Sequence, residues 1–148
     1  MEGKPAVILL VEDDEAHAML IMRAFEDAKV ANKIYWVSDG KEALDYLFRR
    51  GKYAGNGKSP RPDLILLDLR LPKLNGHEVL KEIKNSGDLK HIPVVVLTTS
   101  QSEVDIAKAY SNYVNSYLVK PIDFGEFSAI VQELGFYWLL WNQKPKLE

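Results

Sequence analysis

The chain contains no cysteine. Disulfides, thiolate nucleophiles and cysteine-ligated zinc or iron–sulfur sites are therefore excluded. It also lacks a marked excess of either charge: 19 basic and 21 acidic side chains leave a formal net charge of −2. No basic surplus points to nucleic acid, and no acidic tail points to disorder. The longest nearly apolar stretch, Phe136 to Trp141, is far shorter than the ~20 residues that cross a bilayer. Met1-Glu2-Gly3-Lys4-Pro5 leads straight into an apolar run, so no signal peptide is expected. His17, His77 and His91 lack the spacing of a shared metal site. Internal repeats, low-complexity segments and a second-domain linker are all missing. These absences leave one α/β domain over residues 1–148, with chain enough for its own core and an expected place in the cytoplasm.

What is present is a set of short apolar runs, each ending in a polar residue. Ala6 to Val11 stops at Glu12-Asp13-Asp14, and Leu64 to Leu67 stops at Asp68. Val94 to Leu97 stops at Thr98-Thr99-Ser100, and Tyr117-Leu118-Val119 stops at Lys120-Pro121. Apolar runs without alternation read as strands buried on both faces, hence a parallel sheet under helices. Between them the period changes. Ala16, Leu20, Ala24, Phe25 and Ala28 recur at helical spacing, with Asp13 or Asp14 as N-cap. Lys33 to Val37 reads as a second strand, and Gly40 to Arg50 as a short helix with Ala43, Leu44 and Leu47 inward. Gly51 to Pro62, with its glycines and prolines, reads as an exposed loop, long for a helix-to-strand connection. Asn75 is a cap for a third helix carrying Val79, Leu80 and Ile83. Ser102 opens a fourth helix, Ser116 to Val119 forms a fifth strand, and Asp123 caps the last helix.

Five strand–helix units imply a doubly wound parallel sheet, (βα)5. The flavodoxin-like strand order 2-1-3-4-5 brings strands one, three, four and five together, and ligands in such sheets bind at the carboxyl ends. That order gathers Glu12, Asp13, Asp68, Thr98 and Lys120 on one rim. Two carboxylates 4 Å apart repel by about 4 kcal/mol at an effective dielectric near 20, so three such acids must hold a proton or bind a cation. Oxygen-only ligands suit Mg²⁺, which pairs one or two carboxylates with phosphate. Three acids, Mg²⁺ and Lys120 sum to zero charge, ready for a phosphoryl group that Lys120, Thr98 and the amides after Asp68 can share. Asp14 reads better as a helix cap than as a ligand. Capping explains Asp68 poorly, because Leu69 and a later proline follow it.

Val11-Glu12-Asp13-Asp14, Asp68-Leu69-Arg70-Leu71-Pro72-Lys73-Leu74-Asn75-Gly76, Leu97-Thr98-Thr99-Ser100 and Tyr117-Leu118-Val119-Lys120-Pro121 together resemble the CheY-like receiver domain of two-component response regulators. Each piece alone is weak; all four in order at strand ends are specific, and they span nearly the whole chain. The resemblance implies that Asp68 accepts phosphate from a sensor histidine kinase. It implies Mg²⁺ on Asp13, Asp68 and the Arg70 carbonyl, with Glu12 acting through water, and a cis Lys120–Pro121 bond. Thr98 and Lys120 would contact phosphoryl oxygens, and Thr98 with Tyr117 would form the family's switch pair. Such a protein is a phosphoacceptor switch that catalyses only its own phosphoryl transfer and dephosphorylation.

The chain also looks like a narrower group, the response regulators paired with cyanobacterial phytochromes. The long Gly51–Pro62 loop, the run Pro72-Lys73-Leu74-Asn75-Gly76-His77-Glu78-Val79-Leu80 and the aromatic block Phe136-Tyr137-Trp138-Leu139-Leu140-Trp141 suggest it. The resemblance implies a single receiver without a DNA-binding output domain, a phytochrome kinase as partner, and a homodimer through the surface of helix four, strand five and helix five. Arg70 departs from the smaller polar residue often found there, and its side chain sits where attacking water would pass. Phe124, Phe127, Val131, Leu134, Trp138 and Trp141 recur at steps of three and four, and Phe136 to Trp141 is apolar all round. One sheet covers one face only, so Phe136, Tyr137, Trp138 and Trp141 point to a protein–protein surface.

Two other readings fit less well. A Mg²⁺-dependent phosphatase with an aspartyl nucleophile would place a second acid two residues later, where this chain has Arg70. A flavin carrier would want a hydroxyl- and glycine-rich cradle after the first strand, where acids would repel a phosphate.

Overall fold

The computed structural model describes residues 6–27, 32–55, 57, 59–71, 73–98, 116–119, 123, 125–127 and 129. Five strands form one parallel sheet in the order β2-β1-β3-β4-β5: β1 Ala6–Val11, β2 Asn32–Val37, β3 Leu64–Asp68, β4 Val94–Thr98 and β5 Ser116–Val119. Three described helices accompany them, α1 Glu15–Asp27, α2 Gly40–Phe48 and α3 Gly76–Lys84. The apolar runs are indeed strands covered on both faces. Leu9, Val11, Ile65, Leu67, Val94 and Val96 pack under α2 and α3. Ile8, Leu10, Leu64, Leu66, Val95 and Leu97 point the other way, toward Ala18, Ile21 and Phe25 of α1 and Phe127 of the last helix. Alternation of side chains across a strand requires both sets to be apolar, which is why no polar period appears in the sequence. Phe25 and Phe127 meet with ring centroids 5.0 Å apart, tying the first helix to the last.

Register aligns the strand ends. Val11 pairs with Leu67, Asp68 with Leu97, and Thr98 with Val119. Glu12, which follows β1, therefore leaves the sheet on the same edge as Asp68 and Thr98. The fourth helix from Ser102, Lys120 and the Lys120–Pro121 bond, and the block from Phe136 to Trp141 lie outside the described residues. Thr98 and Tyr117 are described as strand backbone only.

Two local readings change. α2 stops two residues before Arg50 because Arg49 takes a left-handed conformation, φ 56°, which ends the helix. The loop that follows is not simply exposed. It contains a 3-10 turn, Gly51–Tyr53, and is pinned back on α2. The Tyr46 hydroxyl donates to the Pro60 carbonyl at 2.7 Å, Arg61 to that of Leu47 at 2.6 Å, and the Tyr53 hydroxyl to Glu42 at 2.7 Å. Tyr46 stacks with Tyr35 and Tyr53 at 5.9 and 5.2 Å. Composition of Gly and Pro correctly marks a segment without an α-helix or strand among its described residues. It says nothing of Tyr46, Glu42 and the Leu47 carbonyl on α2, which hold it.

Candidate functional site

The site starts where β1 runs out. Glu12 still belongs to the sheet, since its amide donates to the Val37 carbonyl at 3.0 Å and its side chain is fully buried. Asp13 is the first exposed residue, and Asp14 turns the chain into α1. The Asp14 side chain accepts the His17 amide at 3.1 Å while its carbonyl accepts that of Ala18 at 2.9 Å, so Asp14 is the N-cap. The Asp14 amide in turn donates to Glu12 Oε2 at 3.1 Å. His17, one turn into α1, brings Nδ1 to 3.9 Å from Glu12 Oε2 and 3.8 Å from Asp14 Oδ2.

β3 delivers Asp68, only 5% exposed. Its Oδ1 accepts the Arg70 amide at 2.8 Å, which fixes the carboxyl against the turn that follows. That turn closes tightly: the Gly76 amide donates to the Leu69 carbonyl at 3.0 Å. A Cβ on Gly76 would overlap the Asp68 carbonyl, so α3 can start this close to the Asp68 backbone only with glycine. Asn75 then caps α3, accepting the Glu78 amide at 3.0 Å.

Glu12, Asp13 and Asp68 each offer a carboxylate oxygen, and these lie within 4.8 Å of one another. At that separation two ionised groups repel by about 3.5 kcal/mol at an effective dielectric of 20. Burying two of the three makes a cation the natural remedy. The donor set is all carboxylate oxygen, which suits a hard divalent ion and not a thiophilic one. Asp13, exposed, leaves one side of the group open to solvent and to an incoming anion. The residues present therefore fit a Mg²⁺-class ion.

The comparisons agree with this architecture. The response regulator receiver domain family matches residues 8–132. FilR2, a probable methanogenesis regulatory protein of Methanothrix harundinacea, is 57% identical over 95% of this chain and 88% of its own. Response regulator Rcp1 of Synechocystis sp. is 44% identical over 91% of this chain and 90% of its own. The Mn²⁺-bound structure of Rcp1 superposes with a TM-score of 0.74, covering 96% of this chain and all of that one. The phosphorylated cyanobacterial phytochrome response regulator RcpA does so at 0.75, with 44% identity over 93% of this chain and 95% of that one. The fold and its rim of acids define a receiver. The chain belongs to the response regulator receiver domain family, and its relatives include phytochrome response regulators.

Of the residues singled out in the sequence, Glu12, Asp13 and Asp68 are brought together, and the Arg70 amide joins them. Thr98 reaches the same edge in the sheet register. Arg70 itself is exposed. Several neighbours were not singled out. The Trp36 indole donates to the Glu12 carbonyl at 2.7 Å, a contact between β2 and the end of β1 that only their pairing creates. Histidine spacing alone does not reveal His17, whose place three residues after a capping aspartate puts it beside the acids. The motif that contains Gly76 does not by itself disclose its steric duty.

Proposed function

We propose that this protein is a phosphoryl-operated switch in which Asp68 accepts a phosphoryl group from a sensor histidine kinase. The observation that carries the reading is Asp68 itself, nearly buried, held by the Arg70 amide, with the oxygens of Glu12 and Asp13 within 4.8 Å. In this reading a carboxylate oxygen of Asp68 attacks phosphorus in line. The O–P bond forms as the N–P bond to the kinase imidazole breaks, and the imidazole leaves with the electron pair. Asp13, Asp68 and the Arg70 carbonyl would hold Mg²⁺, with Glu12 acting through water; the ion neutralises charge on the transferring oxygens when bound. Lys120 and the Thr98 hydroxyl contact those oxygens, and Thr98 with Tyr117 passes the change to the neighbouring surface. The protein turns over no external substrate; it catalyses only its own phosphorylation and dephosphorylation. It works in the cytoplasm by docking to protein partners, one of them a second copy through the surface of helix four, strand five and helix five, with Phe136, Tyr137, Trp138 and Trp141 at the contact.

The likeness to the cyanobacterial phytochrome response regulator RcpA supports a phytochrome as the kinase. The likeness to FilR2, at 57% identity, supports a second reading in which the same chemistry serves a sensor of another stimulus. The test of the shared core is direct. Wild type and Asp68→Asn are incubated with acetyl phosphate and Mg²⁺, and intact masses are compared. Addition of one phosphoryl group to the wild type alone is the expected result. Full labelling of Asp68→Asn would remove Asp68 from the role.

A further inference from the structure

The loop from Leu69 to Asn75 decides where the Asp68 carboxyl points, because the Arg70 amide within it holds Oδ1. Its ends are closed by Gly76, as described above. Its middle is held by α2, which is remote in sequence. The Leu74 carbonyl lies directly against Gly40, the first residue of α2, and a Cβ on Gly40 would overlap it. Beside that contact, Lys73 Nζ stands 3.4 Å from Asp39 Oδ2. The other oxygen of the same carboxylate, Oδ1, accepts the Glu42 amide at 2.7 Å and caps α2. One aspartate thus joins the start of α2 to the loop that carries the acceptor. Asp39 is well shielded, at 13% side-chain exposure, whereas Lys73 is 66% exposed.

The backbone of Lys73 makes this pairing informative. Its φ is 66°, a left-handed conformation that favours glycine or asparagine over a long side chain. Nothing local favours lysine there. The ion pair to Asp39 does, since it draws the side chain back over α2 and opposes relaxation of the turn. Relaxation would carry the Arg70 amide with it, three residues earlier in the same short loop.

We propose that Asp39 and Lys73 are a positioning pair for the chemistry at Asp68, holding the β3–α3 loop in the turn that presents the carboxyl and so setting the rate of phosphoryl uptake. The proposal rests on the phosphoacceptor reading of Asp68. Three variants separate charge from shape. Asp39→Asn keeps an oxygen for the Glu42 amide and loses the charge. Lys73→Asn tolerates the left-handed backbone and loses the charge. Lys73→Arg keeps it. Uptake from acetyl phosphate is followed by intact mass, with maximal rate and half-saturating concentration determined separately and normalised to folded protein. Asp39→Asn and Lys73→Asn should each lower the maximal rate about two- to five-fold, the upper range for an ion pair with one exposed partner. The half-saturating concentration should hold, Lys73→Arg should restore the rate, and the double Asn variant should be no slower than either single one. A single variant with the wild-type maximal rate, or a double variant whose loss is the product of the two, would overturn the pair. A wild type that takes up no phosphoryl group fails at the earlier step and overturns the acceptor reading itself.

Discussion

Replacing Asp68 by Asn should make the metal-free protein more stable while removing most of what Mg²⁺ adds. The side chain keeps its shape and an oxygen for the Arg70 amide, but the carboxylate cluster loses one charge. The oxygens of Glu12, Asp13 and Asp68 lie within 4.8 Å of one another, and both Glu12 and Asp68 are buried. A pair at that distance repels by about 3.5 kcal/mol at an effective dielectric of 20. Amides donating to Glu12 at 3.1 Å and to Asp68 at 2.8 Å offset part of this. Neutralising Asp68 gives up the charge assistance of its own bond, roughly 1.5–3 kcal/mol, so the net relief against one such pair is about 0.5–2 kcal/mol. For a domain of this size each kcal/mol moves the melting midpoint by about 2–4 °C, so Asp68→Asn should melt roughly 1–8 °C above wild type in EDTA. Mg²⁺ at about ten times its dissociation constant stabilises the wild type by ~1.4 kcal/mol, again several degrees. Asp68→Asn should show less than half of that shift. Scanning calorimetry with EDTA and with Mg²⁺ measures both quantities. A lower midpoint for Asp68→Asn in EDTA, or an undiminished Mg²⁺ shift, would refute the view that these acids are a cation site held under mutual repulsion.

Two further outcomes follow from the surroundings of the site. Burial would raise the Glu42 carboxyl, but the Lys52 ammonium, the Tyr53 hydroxyl and the Ser38 amide outweigh it and hold the pKa at about 2, below the ordinary 4.5. A carboxyl depressed by folding stabilises fully above about 4.5 and loses that contribution as pH falls toward 2; Glu42→Gln should flatten the acid limb of the stability profile in that window, and an unchanged limb would mean that charge does not hold the Gly51–Tyr53 turn to α2. On α1, which begins beside the acids, Met19 and Leu20 are 48% and 62% exposed. If the kinase of the proposed reading docks on this exposed apolar face, Leu20→Asp, at a loss of about 1.5 kcal/mol of apolar burial, should slow kinase-driven labelling about tenfold and spare labelling by acetyl phosphate. Equal slowing with both donors would place Leu20 in the fold and not in docking.

The strands and the cluster of acids at their ends were legible in the sequence. Runs such as Leu64 to Leu67 admit only strands buried on both faces, and the residue that ends each run must emerge at the carboxyl edge of a parallel sheet. Right-handed crossovers leave a few strand orders, of which 2-1-3-4-5 is the one that makes these ends converge, and the structure has that order, with Glu12, Asp13 and Asp68 together. Asp14 was legible as a cap because capping is a local hydrogen bond to the next turn. What only the tertiary structure decided are contacts between segments with no common local pattern. Gly40 and Leu74, Asp39 and Lys73, and Trp36 and Glu12 meet because α2 and β2 pack beside β1 and β3. The pinning of the Gly51–Pro62 loop belongs with them, since a loop's composition fixes its backbone freedom while its anchors lie on other elements. Periodicity records which face of an element is apolar. Which polar side chain on one element finds which carbonyl on another depends on distances of a few tenths of an ångström, and these exist only once the layers have packed.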